Sequence, residues 1–341
     1  MKFISIVTGC YNEEGNAREL YERVTKAVAG ELPEYTYEFI FIDNASTDGT
    51  VAVLREICKQ DPRVKVIVNN RNFGHIRSCY HAMLQARGQA VIAMASDLED
   101  PPEMIPQFVR KWEEGYKIVL AQKRSSEERA LMSAIRRMYY RLVSRLSETP
   151  LVKDATGFGI YDRRVMEDIR EIADPYPYFR GLICELGYSQ CLIPFDKPAR
   201  KRGITKNNFY TLYDMAMLGI VNHSKVPLRL MTFSGFVSAA ICGLVGLGYL
   251  VYKLMYWNRF SAGIAPLVLG VFFFSSVQLM SVGILGEYIG SIYTRVQKLP
   301  LVVERERINF KHQPGTRHEH DHSVTGEERP TQSGGPDQPN T

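Results

Sequence analysis

The segment AVIAMASDLEDPPE, residues 90–103, joins a short apolar run to an acidic turn that contains two prolines. A run of this kind, bounded by polar residues, is typical of a buried β-strand. Similar runs occupy residues 3–7, 39–42, 64–68 and 118–121, and stretches with apolar residues at helical spacing lie at 16–29, 50–59, 76–86 and 103–114. Strands that alternate with helices predict an α/β fold with a mostly parallel sheet.

The acidic turn carries Asp97, Glu99 and Asp100 directly after the apolar run. Two or three carboxylates at the exit of a central strand, held by a Pro-Pro turn, predict an oxygen-rich site for Mg²⁺ or Mn²⁺ bridging a diphosphate. A solvated acidic turn before the next helix is the alternative. The segment alone does not separate the two interpretations.

Polar segments also follow the first two predicted strands, with VTGCYNEE at residues 7–14 and FIDNASTDGT at residues 41–50. Ligands of open α/β sheets bind beyond the carboxyl ends of the strands, so Asn and Glu there predict contacts to a base or ribose. The carboxylate of Asp43 is suited to ribose hydroxyls or a uracil NH. Capping of the next helix by Thr47 or Asp48 is the alternative, and both roles are compatible.

The amino-acid composition becomes apolar and uncharged near residue 230. Residues 233–252 and 264–286 carry no charge, and a helix of about twenty residues spans a bilayer core of roughly 30 Å. We therefore predict a transmembrane hairpin over 229–295, with spans at about 233–253 and 264–288, rather than two buried core helices. Basic residues flank the outer ends of the hairpin, which predicts that the α/β domain and both termini are cytoplasmic.

The predicted organisation has five parts. Residues 1–204 form the α/β domain, 205–228 an amphipathic juxtamembrane helix, 229–295 the hairpin, 296–311 a cytoplasmic return segment, and 312–341 a disordered tail. The aromatic stretch 209–221 follows a basic segment, which favours a helix in the membrane interface, although a surface helix packed on the domain is the alternative. The tail is rich in Gly, Pro, Gln, Ser and Thr, which favours disorder.

Composition excludes several classes of protein. The net charge of +5, from 42 Lys and Arg against 37 Asp and Glu, is too small for a nucleic-acid-binding protein. Six scattered cysteines indicate a reduced chain without a disulfide framework, and the N-terminus is not a signal peptide. No GxGxxG follows the first strand and no GxxxxGK[ST] occurs, which disfavours dinucleotide oxidoreductases and nucleotide hydrolases.

The segments YNEE, FIDNASTDGT, RNFGH (residues 71–75) and SDLEDPPE together resemble the inverting nucleotide-sugar glycosyltransferases of family 2, which have a GT-A fold. KDATGFG (153–159), the basic segment at 194–206 and GILGEY (283–288) are similar to the polyisoprenyl-phosphate branch, so the resemblance covers roughly residues 3–305. It implies transfer of a hexose from a nucleoside diphosphate sugar to polyprenyl phosphate, with inversion, for cell-envelope glycosylation. UDP-glucose is the expected donor; GDP-mannose and a modified aminosugar nucleotide are alternatives.

The resemblance also implies roles for individual residues. Asp97 and Asp154 are the expected catalytic acids, with Asp154 either a base or a residue that positions the acceptor. Asp97 and Glu99 are the expected metal ligands. The nucleotide sugar is expected at Thr8, Tyr11, Asn12, Glu14, Asp43, Asn44, Ser46, Arg71 and Asp97. The acceptor phosphate is expected at Arg124, Arg129, Arg137, Arg200, Arg202 and Lys206, although a solvated basic face explains the first three equally well.

Two departures and two rival functions accompany the resemblance. Ala95 replaces the first acid of the family's Asp-x-Asp, and Asn44 replaces an acid after Asp43, so the metal site lacks one expected ligand. A catalytically weakened nucleotide-sugar-binding subunit is therefore one rival. A processive polysaccharide synthase is the other, but it requires a Gln-x-x-Arg-Trp motif and more than two spans. The expected location is the inner (plasma) membrane, where hairpins could assemble into homo-oligomers.

Overall fold

The computed structural model describes residues 2–124, 155–175, 177–196, 225–256, 264–297 and 299–310. The strands are β1 (Lys2–Cys10), β2 (Tyr35–Asp43), β3 (Val64–Asn69), β4 (Ala90–Ala95), β5 (Ile118–Lys123), β6 (Ala155–Asp162), β7 (Gln190–Phe195) and β8 (Glu304–Ile308). The helices are α1 (Glu14–Glu31), α2 (Thr50–Gln60), α3 (His75–Gln85), α4 (Ile105–Glu113), α5 (Arg163–Ile172), α6 (Phe179–Glu185), α7 (Val226–Met255) and α8 (Ile264–Val296). A single 3₁₀ turn, Pro102–Met104, precedes α4.

The described strands form one eight-stranded sheet in the order β7-β5-β6-β4-β1-β2-β3-β8. Strand β1 pairs in parallel with both β2 and β4, β2 pairs in parallel with β3, and β5 pairs in parallel with β7. Strand β6 runs antiparallel between β4 and β5, and β8 runs antiparallel beside β3. This arrangement confirms the predicted α/β fold with a mostly parallel sheet.

Helices cover both faces of this sheet, which explains why its central strands are apolar along their whole length. Phe39 and Phe41 of β2 face a core that includes residues of α1, α2 and α4. Ile40 and Ile42 face a second core formed with α3, α5 and α6. The alternation of side chains along β2 therefore fills two separate cores, and all four of these residues are fully buried.

The carboxyl ends of the parallel strands lie at one edge of the sheet, which we call the catalytic edge. The loops that follow β1, β2, β3 and β4 all start there, as does the antiparallel strand β6. Strands β5 and β7 also end at this edge, because both are parallel to β4. The three polar segments singled out in the sequence therefore converge on this edge.

Helices α7 and α8 contain 30 and 33 residues, which corresponds to about 45 and 50 Å. Both are long and apolar enough to cross a bilayer. Helix α7 has no buried residue, and large apolar side chains such as Phe236, Leu244 and Phe272 are exposed along the pair. Exposed apolar surface of this extent is unfavourable in water, so the interpretation as buried core helices fails and membrane association follows.

After α8 the chain returns to the catalytic sheet. Strand β8 pairs with β3, and the backbone NH of Asn70 donates to the Val303 carbonyl at 2.8 Å. The side-chain Nδ2 of Asn309 donates to the Val64 carbonyl at 2.9 Å, which fixes the other end of β8. The segment predicted only as a cytoplasmic return thus completes the sheet edge, and the catalytic domain is built from two separate parts of the chain.

Two predicted segments fall largely outside the described residues. They are the juxtamembrane helix at 205–228, of which only residues 225–228 are described, and the tail at 312–341. Helix α7 begins at Val226, so the last three residues of the first segment belong to it. The remainder of both segments stays a prediction.

Candidate active site

The loops after β1 and β2 are cross-linked by the residues predicted to bind the nucleotide. Asn12 Oδ1 accepts hydrogen bonds from the Thr47 amide at 2.8 Å, and the Asn12 amide donates to Ser46 Oγ at 2.9 Å. Glu14 Oε2 accepts from the Gly49 amide at 3.1 Å. A Cβ at position 49 would displace the Glu14 carboxylate from this position. Asn12, Glu14 and Ser46 therefore shape the site, and nucleotide contacts from them stay predictions.

Asp43 and Thr8 hold two of the four buried side-chain polar atoms that have no hydrogen-bond partner in the described part of the chain; the others are Asn69 Oδ1 and Arg77 Nε. Asp43 is fully buried, and its Oδ2 accepts from the Ser46 amide at 3.0 Å. Asp43 Oδ1 and the buried Thr8 Oγ1 have no hydrogen-bond partner in the described part of the chain. A buried polar atom without a partner costs about 1–3 kcal/mol, so a polar ligand that bonded to these two atoms would remove that cost.

Cys10 lies opposite Asp43 in the sheet register. Burial raises the pKa of the Cys10 thiol well above its usual value, and the Asp43 carboxylate raises it further. The thiol is therefore protonated at neutral pH, and a thiolate nucleophile at this position is excluded.

Asn44 anchors the loop between β3 and α3. Its Oδ1 accepts from Asn69 Nδ2 at 3.1 Å, from the Phe73 amide at 2.9 Å and from Ser78 Oγ at 2.8 Å. Its Nδ2 donates to Asn72 Oδ1 at 2.8 Å. Asn44, which stands where the family has an acid, is thus a buried structural residue. Its contact to the nucleotide stays a prediction.

The anchored loop presents Arg71 at the catalytic edge. The Arg71 guanidinium is exposed and lies 4.0 Å from the centre of the Phe73 ring, a cation–π arrangement that restrains its direction. Tyr11, in the loop after β1, is half-buried at the same edge. Both stay candidates for contacts to the nucleotide sugar.

The acidic turn after β4 is folded by its own side chains. Asp100 is buried, and its Oδ2 accepts from the Ala95 amide at 2.8 Å. Asp97 Oδ1 accepts from the Glu99 amide at 3.1 Å, and Leu98 takes a left-handed backbone conformation with φ of 61°. Asp97 and Glu99 remain half-exposed, so the turn presents one or two carboxylates and keeps the third inward.

This donor set fits one kind of metal site. Within the described ranges, no three His, Cys, Asp or Glu side chains converge as a metal cluster, and Ala95 offers no ligand. Mg²⁺ is commonly held by one or two carboxylates together with substrate phosphates. Asp97, with or without Glu99, therefore fits a cation shared with a diphosphate rather than a site made by protein alone.

Sequence reasoning assigned no role to His75, the last residue of RNFGH. Its Nδ1 lies 3.4 Å from Cys79 Sγ. The Cys79 sulfur and, to a smaller extent, the Asp97 carboxylate raise the pKa of His75 to about 9. The imidazole lies within electrostatic range of Asp97. The position of His75 in RNFGH, shortly after the end of β3, was the sequence signal that could have identified it.

Of the residues predicted to hold the acceptor phosphate, the structure describes Arg124. It follows β5 at the catalytic edge, is exposed, and lies 3.4 Å from Asp196 Oδ2. Asp154 and the other five basic residues lie outside the described residues: Arg129, Arg137, Arg200, Arg202 and Lys206. The chain leaves the described part after β5 and β7 and re-enters it at β6, always at the catalytic edge.

Comparisons with known proteins identify the class. The model of glycosyl transferase family 2 matches residues 5–170. An uncharacterized glycosyltransferase of Synechocystis sp. is 31% identical over 91% of this chain and 97% of its own length. The SfII prophage-derived bactoprenol glucosyl transferase of Shigella flexneri is 32% identical over 87% of this chain and 96% of its own. The chain belongs to glycosyl transferase family 2, which confirms the predicted family and enzyme class.

A solved structure also aligns with the chain. Glucosyl-3-phosphoglycerate synthase from Mycobacterium tuberculosis, in complex with Mn²⁺, uridine diphosphate and phosphoglyceric acid, has a TM-score of 0.46 and 18% identity. The alignment covers 64% of this chain and 76% of that one. This likeness is too distant to indicate function. The GT-A assignment rests on the sheet described above and on the family.

Proposed function

We propose that this glycosyltransferase is anchored in the membrane and transfers glucose from UDP-glucose to polyprenyl phosphate with inversion. One observation carries the proposal. The similarity to the bactoprenol glucosyl transferase extends over 300 residues of this 341-residue chain, so it necessarily includes both apolar helices. The resemblance therefore concerns the combination of donor domain and membrane segment, not the donor domain alone.

The site supports a nucleotide-sugar donor. The partnerless Asp43 Oδ1 could accept a hydrogen bond from a base NH or a ribose hydroxyl, and Thr8 Oγ1 could donate or accept one. Both atoms lie near the carboxyl ends of adjacent parallel strands, where ligands of open α/β sheets bind. Uridine satisfies these requirements, and the choice of glucose rests on the named relatives.

The chemistry is set by the charge of the two substrates. A lipid monophosphate has a second pKa of about 6, so it is largely dianionic and needs little deprotonation. One of its oxygens attacks the anomeric carbon and forms a C–O bond while the bond from that carbon to the diphosphate breaks. Attack from the face opposite the departing UDP inverts the configuration.

The enzyme's main task is then to hold two anions together. Arg71 and Arg124 supply positive charge at the catalytic edge. A divalent cation, when bound by Asp97 and Glu99, would neutralise charge on the leaving diphosphate. Asp154, if it lies beside the acceptor, would position the phosphate or serve as a base, and the dianionic acceptor favours positioning.

The membrane segment supports delivery of the lipid substrate. Arg295, in the last turn of α8, pairs with Asp174 in the α5–α6 loop at 3.5 Å, and β8 follows α8 into the sheet. The end of α8 is therefore attached to the catalytic domain by an ion pair and by the chain that continues into β8. The phosphate of a lipid lies at the bilayer surface, so a catalytic domain held at that surface can reach it while the lipid stays in the membrane.

The test uses purified full-length protein in detergent with undecaprenyl phosphate and Mg²⁺ or Mn²⁺. Radiolabelled UDP-glucose, UDP-GlcNAc and GDP-mannose are offered separately, and label entering the organic phase is measured. We expect label from UDP-glucose alone, lost on adding a chelator. Label from another donor would reassign the sugar. Donor binding without transfer to lipid would favour the weakened binding subunit.

A further inference from the structure

Arg180, in the first turn of α6, reaches the first residues of β6. Its Nη2 donates to the Thr156 carbonyl at 2.8 Å. Its Nε lies 4.0 Å from the point that a Cβ on Gly157 would occupy. The guanidinium therefore lies against the start of β6, and this contact fixes the direction of an otherwise flexible side chain.

The start of β6 is part of the catalytic edge. Strand β6 runs antiparallel to β4 with Ala93 opposite Gly159, so residues before Gly159 extend alongside the end of β4. Continuing this register brings Gly157 beside Ala95, two residues before Asp97. Arg180 is therefore held next to the acidic turn predicted to carry the metal ligand.

The charges around Arg180 agree with this position. The guanidinium is exposed, and it forms no ion pair with any residue that the structure describes. Its positive charge lowers the pKa of His75, whereas the Asp97 carboxylate raises it. Arg180 and Asp97 therefore both lie within electrostatic range of the same imidazole.

We propose that Arg180 binds a substrate phosphate beside the acidic turn at the end of β4. This inference rests on the proposed function, because it assumes that phosphate-bearing substrates meet at this edge. One NH of the Arg180 guanidinium donates to the Thr156 carbonyl, and the guanidinium has further NH donors. Two NH donors of a planar guanidinium match two oxygens of a phosphate. The phosphate belongs either to the nucleotide sugar or to the lipid acceptor, and both present the same oxygen chemistry.

The experiment measures binding and turnover separately. Equilibrium dissociation constants for UDP-glucose and for undecaprenyl phosphate are determined in detergent for the wild-type protein, Arg180→Gln, Arg180→Lys and Arg164→Gln. Arg164 is a matched control, because it is an exposed arginine in the first turn of α5 at the opposite end of β6. Gln at 180 keeps a side-chain NH donor but carries no charge. Thermal unfolding of each variant confirms folding.

For Arg180→Gln we expect one dissociation constant to rise about 10- to 100-fold, with partial recovery in Arg180→Lys and no change in Arg164→Gln. A rise for undecaprenyl phosphate assigns the arginine to the acceptor, and a rise for UDP-glucose assigns it to the donor. Both constants within about twofold of wild type in folded Arg180→Gln would overturn the inference. These constants do not depend on transfer, so failure of the proposed reaction remains distinguishable.

Discussion

Asp97 is the residue that we predict to hold the metal ion at the acidic turn. It is half-exposed at the end of β4, whereas Asp100 is turned inward to the Ala95 amide. Because Ala95 supplies no ligand, the loss of a single carboxylate cannot be compensated by the family's usual second acid. Glu99 is the only nearby substitute within the described turn.

We predict that Asp97→Asn reduces transfer by at least about 100-fold, because the cation at the leaving diphosphate loses its main ligand. Glu99→Gln should retain activity if Glu99 is not a ligand. Label transfer is measured across a titration of Mn²⁺. Full activity of Asp97→Asn in the presence of metal would refute the placement of the cation at this carboxylate.

Thr8 offers a test of the partnerless atoms. In Thr8→Val the buried hydroxyl that lacks a partner is replaced by a methyl group, so the ligand-free protein should unfold at the same or a higher temperature. The dissociation constant for UDP-glucose should rise about fivefold, equivalent to about 1 kcal/mol. Calorimetry measures both quantities.

Thr36→Val is the control for this change. Thr36 lies at the opposite end of the sheet, where its hydroxyl donates to the Lys2 carbonyl at 3.3 Å, so donor binding should not change. A Thr8→Val protein with lower stability and unaltered donor affinity would mean that the hydroxyl serves the fold and not the ligand.

At the scale of elements, strand β8 is the unexpected feature. Its Glu304 carboxylate accepts from His81 Nε2 and Arg307, and Arg307 also contacts Gln85 of α3 at 3.1 Å. Burial by itself would raise the pKa of Glu304, but the hydrogen bonds from Arg307 and His81 lower it to about 2. The ionised, largely buried Glu304 carboxylate therefore connects β8 to α3.

Because the pKa of Glu304 is lower in the folded state, its ionised form stabilises the protein above the pKa of about 4.3 in the unfolded state. This stability is lost as the pH falls toward 2. We predict that Glu304→Gln lowers stability at pH 7 by about 1–3 kcal/mol and flattens the loss of stability between pH 4.3 and 2. Thermal unfolding of the purified protein against pH measures this.

Glu306→Gln in the same strand is the matched control, because Glu306 pairs with Arg55 at the surface and such pairs contribute about 0–1 kcal/mol. Equal effects of the two substitutions at every pH would contradict a special role for Glu304.

At the scale of the whole molecule, the chain passes from the catalytic sheet through two exposed apolar helices and back to the sheet. If both helices span the bilayer, as we propose, both ends of the hairpin lie on the side of the catalytic domain. The connection between the helices, residues 257–263, would lie on the other side of the bilayer.

We predict that Ser261→Cys, in a protein without other reactive cysteines, is labelled by a membrane-impermeant maleimide added to intact cells. Glu306→Cys should be labelled only after the membrane is permeabilised, because β8 belongs to the sheet of the domain that we predict to be cytoplasmic. Labelling of both positions in intact cells would contradict the proposed topology.

The sequence by itself determined the parallel half of the sheet, the two long apolar helices and the location of the acidic turn. These features depend on local patterns, because hydrophobic periodicity defines strands and helices and an uncharged run of about twenty residues defines a span. The convergence of YNEE, FIDNASTDGT and SDLEDPPE also followed from sequence, since parallel strands bring their carboxyl ends to one edge.

Only the tertiary structure decided which polar side chains keep partners and which do not. Asn44 proved to be a loop anchor, whereas Asp43 retained an oxygen without a partner. The charged segment containing Glu304 has little of the apolar character of a strand, and the Glu304 side chain is hydrogen-bonded to His81, which is 223 residues away in sequence. Register and long-range packing set these contacts, as they set the position of Arg180, and neither is encoded in the local pattern.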